Sequence, residues 1–163
     1  ILEVGVGTGL SLPLFRRDAR IVGIDVSPDM LAKAREKVAR LGLTQVEAIS
    51  EADAEHLGFS DNSFDAVVAL YVASVVSDPA RFGGELRRVC KPGGRIVIVN
   101  HFSKEQGAVR AVEQVLAPFA GRIGFHADFR LDDFLRASGL RARARRPVNL
   151  FGYWTLLDCV NEK

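Results

Sequence analysis

Ile1-Leu2-Glu3-Val4-Gly5-Val6-Gly7-Thr8-Gly9 is the stretch that decides the fold. A short apolar run carries one acid and breaks into three glycines at alternate positions. Such a run predicts a buried strand, a tight turn and then a helix. Glycine is needed where the backbone must turn sharply or let a ligand come close, because a Cβ blocks both. In an open α/β sheet the ligand lies at this turn, outside the carboxyl end of the first strand. The spacing argues against a dinucleotide loop of the G-x-G-x-x-G kind, since the third glycine is Gly9 and Leu10 follows it. Glu3, just ahead of the loop, would repel phosphates and suits a cation.

Outward from this turn, apolar runs alternate with helical patterns, which predicts a parallel sheet with helices on both faces. Leu10 to Phe15 reads as a short helix with Pro13 in its first turn. Ile21 to Val26 is a second strand, and Ser27 and Pro28 are the N-cap and first position of the next helix. Leu31, Ala34, Val38 and Leu41 share one face at helical spacing, and Gly42 stops the helix. Gln45 to Ser50 is a third strand, and Phe64 to Leu70 a fourth, apolar enough for burial on both faces. Pro79 to Cys90 is helical and Lys91-Pro92-Gly93-Gly94 is its stop, ahead of a strand from Arg95 to Asn100. Helical patterns follow over Lys104 to Ala120 and Leu131 to Ala137, the second ended by Gly139. Strand-like runs from Leu140 to Val148 and Phe151 to Val160 close the chain, with Gly152 marking a bend.

The 163 residues form one domain, 1–163, long enough for a sizeable core. Hydrophobic content of 48% and charge of 26% suit a soluble globular protein, and no apolar run is long enough for a membrane span. A net charge of only +2 gives no reason to expect nucleic acid. Cys90 and Cys159 lie far apart in no ligand spacing, as in a reduced, cytoplasmic protein. Because the chain opens inside a strand, a segment upstream of Ile1 is expected. No metal site and no protein partner are predicted; His126 has no neighbour at metal spacing and reads as a loop residue.

The Glu-x-Gly-x-Gly-x-Gly form of residues 3–9 resembles the first motif of class I S-adenosylmethionine-dependent methyltransferases. That donor carries an ammonium and a sulfonium but no pyrophosphate, in keeping with Glu3. The resemblance implies a Rossmann-like fold with a seven-stranded sheet, six strands parallel and the last antiparallel. Gly5, Gly7 and Gly9 would let the backbone approach the methionine part of the donor. Asp25, about 20 residues on at the end of the second strand, is placed to accept from ribose hydroxyls, or simply to cap the next helix. The resemblance makes Asp53 the acceptor for the adenine amino group. Val26, Met30, Ala54 and Leu70 complete the candidate donor set, with Leu70 near the transferable methyl. The fourth strand ends in Ala69-Leu70-Tyr71-Val72-Ala73-Ser74 and not in Asn/Asp-Pro-Pro-Tyr/Phe, which disfavours nucleobase or glutamine N-methylation.

Three further stretches are similar to a narrower family, the bacterial Rhodobacter-type phosphatidylethanolamine N-methyltransferases: residues 71–76, 97–102 and 149–156. The resemblance implies methyl transfer to phosphatidylethanolamine and its mono- and dimethylated derivatives, giving phosphatidylcholine, by a cytoplasmic enzyme that visits an anionic membrane surface. Tyr71, His101 and Tyr153 are the candidate catalytic residues. His101 would take a proton or orient the amine, or else hydrogen-bond backbone or phosphate. Tyr71, Phe102, Tyr153 and Trp154 would enclose a methylated ammonium, unless they pack in the core. From a regular strand Tyr153 and Trp154 cannot both line the pocket, and Tyr153 is favoured. Arg141, Arg143 and Arg145 alternate, so a strand would show them on one face, with Arg146 adjacent, to lipid or simply to solvent. The alternatives are another amphipathic acceptor such as a quinone precursor, a non-catalytic donor-binding module, or a nicotinamide oxidoreductase, the last opposed by the glycine spacing.

Overall fold

Strand β1 (Leu2–Val4) is buried along its whole length and pairs in parallel with β2 (Ile21–Asp25) on one side and β4 (Phe64–Leu70) on the other. The structure, a computed structural model, describes residues 1–102, 129–149 and 153–163. β3 (Val46–Glu51) extends the sheet beyond β2, and β5 (Cys90–His101) extends it beyond β4, all in parallel. β7 (Trp154–Val160) then runs antiparallel between β5 and the edge strand β6 (Ala142–Val148). The order β3-β2-β1-β4-β5-β7-β6 has six strands pointing one way and β7 the other, as expected. Between β1 and β4 the chain switches direction along the sheet, the place where such folds bind their ligand.

Helix α1 (Pro28–Leu41) has its expected caps: Ser27 Oγ accepts from the Met30 N–H, and Gly42 takes a left-handed conformation with φ 56°. Leu31 and Ala34 are buried with Val6, Leu12, Ile21 and Leu43, whereas Leu41 is exposed at the last turn. The segment after the glycine loop is only a 3-10 turn, Leu12–Leu14. Pro13 sits in its first turn, where the missing N–H costs nothing, and the turn ends because Phe15 is extended, with ψ 147°.

The opposite face holds the larger core, where Val67, Ala69, Ile96, Ile98, Leu157 and Cys159 meet Phe82, Leu86 and Phe134. Helices α2 (Pro79–Val89) and α3 (Leu131–Ser138) supply these rings. β4 is buried on this face and only half-buried on the other, less than its apolar run predicts. Gly83 lets α2 and α3 touch, since a Cβ there would stand 2.2 Å from the Ser138 carbonyl oxygen. Gly84 has open space. Gly83→Ala should therefore cost about 2–3 kcal/mol by overpacking and lower Tm by roughly 5–10 °C. Gly84→Ala should raise Tm slightly, because glycine is a poor helix former. Thermal unfolding of the two variants checks this, and equal Tm values would refute it.

Two bulges depart from the sequence reading. Phe64 pairs with Cys90 but Ala66 with Arg95, so Lys91–Gly94 swells out within β5 instead of standing ahead of it. Asn161, buried, clamps the swelling by donating to the Arg87, Cys90 and Lys91 carbonyls. In β6, Ala142 pairs with Cys159 but Ala144 with Asp158, which inverts the alternation. Arg145 lies opposite Leu157 and reaches Asp132 of α3 at 3.3 Å, while Arg141 reaches Glu162 at 3.5 Å. The arginines thus do not form one row. Lys104 to Ala120, His126 and the bend at Gly152 lie outside the described residues.

Candidate functional site

At the carboxyl ends of β1, β2 and β4 lies a cavity of about 510 Å³. Its walls come from Glu3, the glycine loop, Asp25, Val26, Met30, Ala52, Ala54, Leu70, Tyr71, Val72 and Val75. The three loop glycines all have positive φ, between 53° and 73°, and serve different ends. A Cβ on Gly5 would stand 2.2 Å from Val72 Cγ2, and one on Gly9 2.8 Å from Leu12 Cδ1. Gly9 does not line the cavity; it lets the 3-10 turn and α1 close in. A Cβ on Gly7 would meet only Met30 Sδ, at 3.7 Å, itself a wall of the cavity.

Asp25 ties the loop down. One carboxylate oxygen accepts from the Gly7 N–H at 2.9 Å and the other from the Ser27 N–H at 3.0 Å. Each oxygen retains a lone pair for a hydroxyl in the cavity. Glu3, 1% exposed, accepts from Ser11 Oγ through Oε1, while Oε2 is buried without a partner among the described residues. Burial pushes the Glu3 carboxyl up to about 7, against a smaller opposing effect of the Ser11 hydrogen bond. An orphaned buried oxygen beside a cavity is a vacancy for a donor, and a cationic one would ionise it.

Asp53 stands at the rim and not among the lining residues. Its carboxylate accepts from the Glu55 N–H at 2.8 Å and contacts His56 Nδ1 at 3.2 Å, and these hold it below the usual carboxylate range. His56 Nε2 meets Arg81 at 2.8 Å, so the loop after β3 is pinned to α2.

Beyond Leu70 the chain turns through Tyr71, which adopts φ 65° without being glycine. Such strain is typical of functional sites and costs on the order of 1–3 kcal/mol. The Tyr71 N–H donates to the Val99 carbonyl at 2.7 Å, and its ring packs edge-on against Trp154, centroids 4.6 Å apart. His101, buried at the end of β5, stacks on Tyr153 at 4.0 Å and meets the edge of Trp154 at 6.0 Å. Tyr153 and Trp154 therefore both join the cluster, because Tyr153 precedes β7 and escapes strand alternation. Trp154 links Tyr71 to His101, whereas the sequence reading favoured Tyr153 over it for lining the pocket. Phe102 does not take part: it stacks on Phe129 at 5.1 Å in the α2–α3 core.

A family described as "Methyltransferase domain" matches residues 2–98. A phosphatidylethanolamine N-methyltransferase of Cereibacter sphaeroides is 45% identical over 157 residues, 96% of this chain and 77% of that protein. A demethylmenaquinone methyltransferase of Thermus thermophilus is 41% identical over 128 residues, 74% of this chain and 57% of that protein. Among solved structures, an S-adenosylmethionine-dependent methyltransferase from Aquifex aeolicus superposes with a TM-score of 0.73 at 24% identity, over 98% of this chain and 80% of its own. That likeness concerns the fold alone.

Proposed function

The chain belongs to the class I S-adenosylmethionine-dependent methyltransferases, and from that premise we propose that it methylates the amine of phosphatidylethanolamine and of its mono- and dimethylated derivatives. S-adenosylmethionine is the cofactor of this fold, and the residues fit it. The orphaned Glu3 oxygen suits an ammonium, Asp25 keeps lone pairs for ribose hydroxyls, and the open side of Gly7 admits close contact. In our reading Val26, Met30, Ala54 and Leu70 wall the bound cofactor, and Asp53 reaches the adenine amino group from the rim. The cofactor supplies a methyl group on a sulfonium centre.

The observation that carries the acceptor is the ring cluster of Tyr71, Trp154, His101 and Tyr153, which meets the donor cavity through Tyr71, the one of the four that lines it. Ring faces attract alkylated ammonium by roughly 0.5–2 kcal/mol per contact, so the cluster suits an acceptor whose nitrogen gains positive charge during each transfer and keeps it permanently after the third. The nucleophile must be the neutral amine, and His101 is assigned to take or steer the proton lost between rounds. Holding the amine in line with the methyl supplies most of the rate. Arg143 and Arg146, exposed on the edge strand, are assigned to an anionic membrane surface, with on the order of 1 kcal/mol each. Among the described residues no helix is long and apolar enough to cross a membrane.

Transfer of labelled methyl to phosphatidylethanolamine in vesicles containing anionic lipid tests the reading. Mono-, di- and trimethylated lipid should appear in turn. Trp154→Leu should slow the third methylation about tenfold more than the first, within the range of one lost cation–π contact. No transfer while the cofactor still binds would sink the acceptor assignment. The 41% identity to a demethylmenaquinone methyltransferase supports a second reading, a quinone-precursor carbon acceptor, which would show no such dependence on methylation round.

A further inference from the structure

We propose that Asn149 is a positioning residue that holds the Tyr71 phenol so that its hydroxyl proton faces an anionic phosphodiester oxygen of the methyl acceptor. The inference rests on the lipid-amine reading for the identity of that oxygen. The geometry itself does not. Asn149 follows β6 and adopts φ 54°; Tyr71 leaves β4 with φ 65°. These two non-glycine residues, 78 positions apart, join side chain to side chain: Asn149 Nδ2 donates to the Tyr71 hydroxyl oxygen at 3.3 Å.

Two strands and the residue after a third thus grip the residue that follows β4. β5 takes the Tyr71 backbone through the Val99 carbonyl, β7 takes the ring through Trp154, and the end of β6 takes the hydroxyl. Tyr71 nonetheless stays 46% exposed and lines the cavity. A core residue held this way would be buried, so the grip fixes a ring that meets something from outside. A phenol has one proton and lone pairs on its oxygen. With Asn149 donating to a lone pair, the proton is left for an acceptor in the cleft, and accepting one hydrogen bond strengthens donation of the other. A phosphodiester oxygen is the charged acceptor nearest the amine in an ethanolamine head group.

Asn149→Asp replaces the donor by a carboxylate, which accepts a hydrogen bond from the Tyr71 hydroxyl and so turns its proton away from the cleft. Its KM for phosphatidylethanolamine should rise about tenfold, as in Tyr71→Phe, with kcat within about twofold and cofactor Kd unchanged. Asn149→Gly keeps the left-handed backbone, removes the amide and should fall between. In the Tyr71→Phe background, Asn149→Asp should add nothing. With only two tyrosines in the chain, ring-labelled NMR isolates the contact: the Tyr71 signal should move in both Asn149 variants and that of Tyr153 should stay. Additive effects in the two backgrounds, a change in cofactor Kd in place of acceptor KM, or an unmoved Tyr71 signal would overturn the proposal. If wild type transfers nothing to the lipid while the NMR coupling holds, the acceptor reading fails and the positioning of Tyr71 by Asn149 stands.

Discussion

Gly7→Ala should abolish useful cofactor binding while the fold survives, with Kd rising at least thirtyfold and Tm falling by only a few degrees. The left-handed backbone at φ 53° costs an alanine about 1–2 kcal/mol. The new methyl meets only Met30 Sδ at 3.7 Å, so nothing else in the core pushes back. It stands instead on the cavity side of the loop, where cofactor atoms would lie. The Gly7 N–H still reaches Asp25, so the loop keeps its anchor. Gly5→Ala is the contrast. There the methyl drives to 2.2 Å from Val72 Cγ2 on top of the same strain, and stability falls with binding, by roughly 3 kcal/mol. Isothermal titration and thermal melts of both variants separate the two cases. A Gly7→Ala protein that binds as wild type would show that the loop does not approach the cofactor.

Glu3→Gln should move stability and cofactor affinity in opposite directions. In the free protein burial raises the Glu3 carboxyl from its ordinary 4.5 to about 7. The folded state therefore prefers the protonated form. The associated stability is fully present below about pH 4.5 and is lost as pH rises through 7, on the order of 3 kcal/mol in all. A neutral glutamine removes that loss, so Glu3→Gln should melt several degrees above wild type at pH 8 in the absence of cofactor. Cofactor binding should weaken at least tenfold, because an ammonium loses its counter-charge. In wild type, affinity should rise several-fold between pH 6 and 8 as Glu3 ionises, with proton release on binding near pH 6.5. Glu3→Gln should flatten that profile. Wild-type affinity independent of pH over this interval would remove Glu3 from the cofactor site.

The sheet order and the caps of α1 were legible because they rest on local signals. An apolar run, a serine before a proline and a glycine after a periodic face each act within a few residues. The ligand-facing turn was legible for the same reason. What escaped was decided by partners distant in sequence. Nothing in Lys91–Gly94 says that β4 and Asn161 will hold it as a bulge within a strand. The arginine alternation from 141 to 145 is broken by its pairing with β7, so periodicity alone could not place those side chains. Trp154 earned less weight than Tyr153 because strand alternation was applied one residue too early. Asn149 carried no signal beyond a residue type that tolerates a left-handed backbone. Gly83 gave no sign in the sequence that its missing Cβ is what lets Ser138 approach.

Trp154 is the chain's single tryptophan, and it touches Tyr71, His101 and Tyr153 at once. The indole emission of this 163-residue chain therefore originates within the ring cluster. No label has to be introduced to watch this region: excitation near 295 nm reads one place only. Arrival of a quaternary ammonium head group against the indole should quench or shift that emission in a stopped-flow trace. The order in which cofactor and lipid enter, and the pause between successive methylations, thus become optical quantities in the unmodified protein.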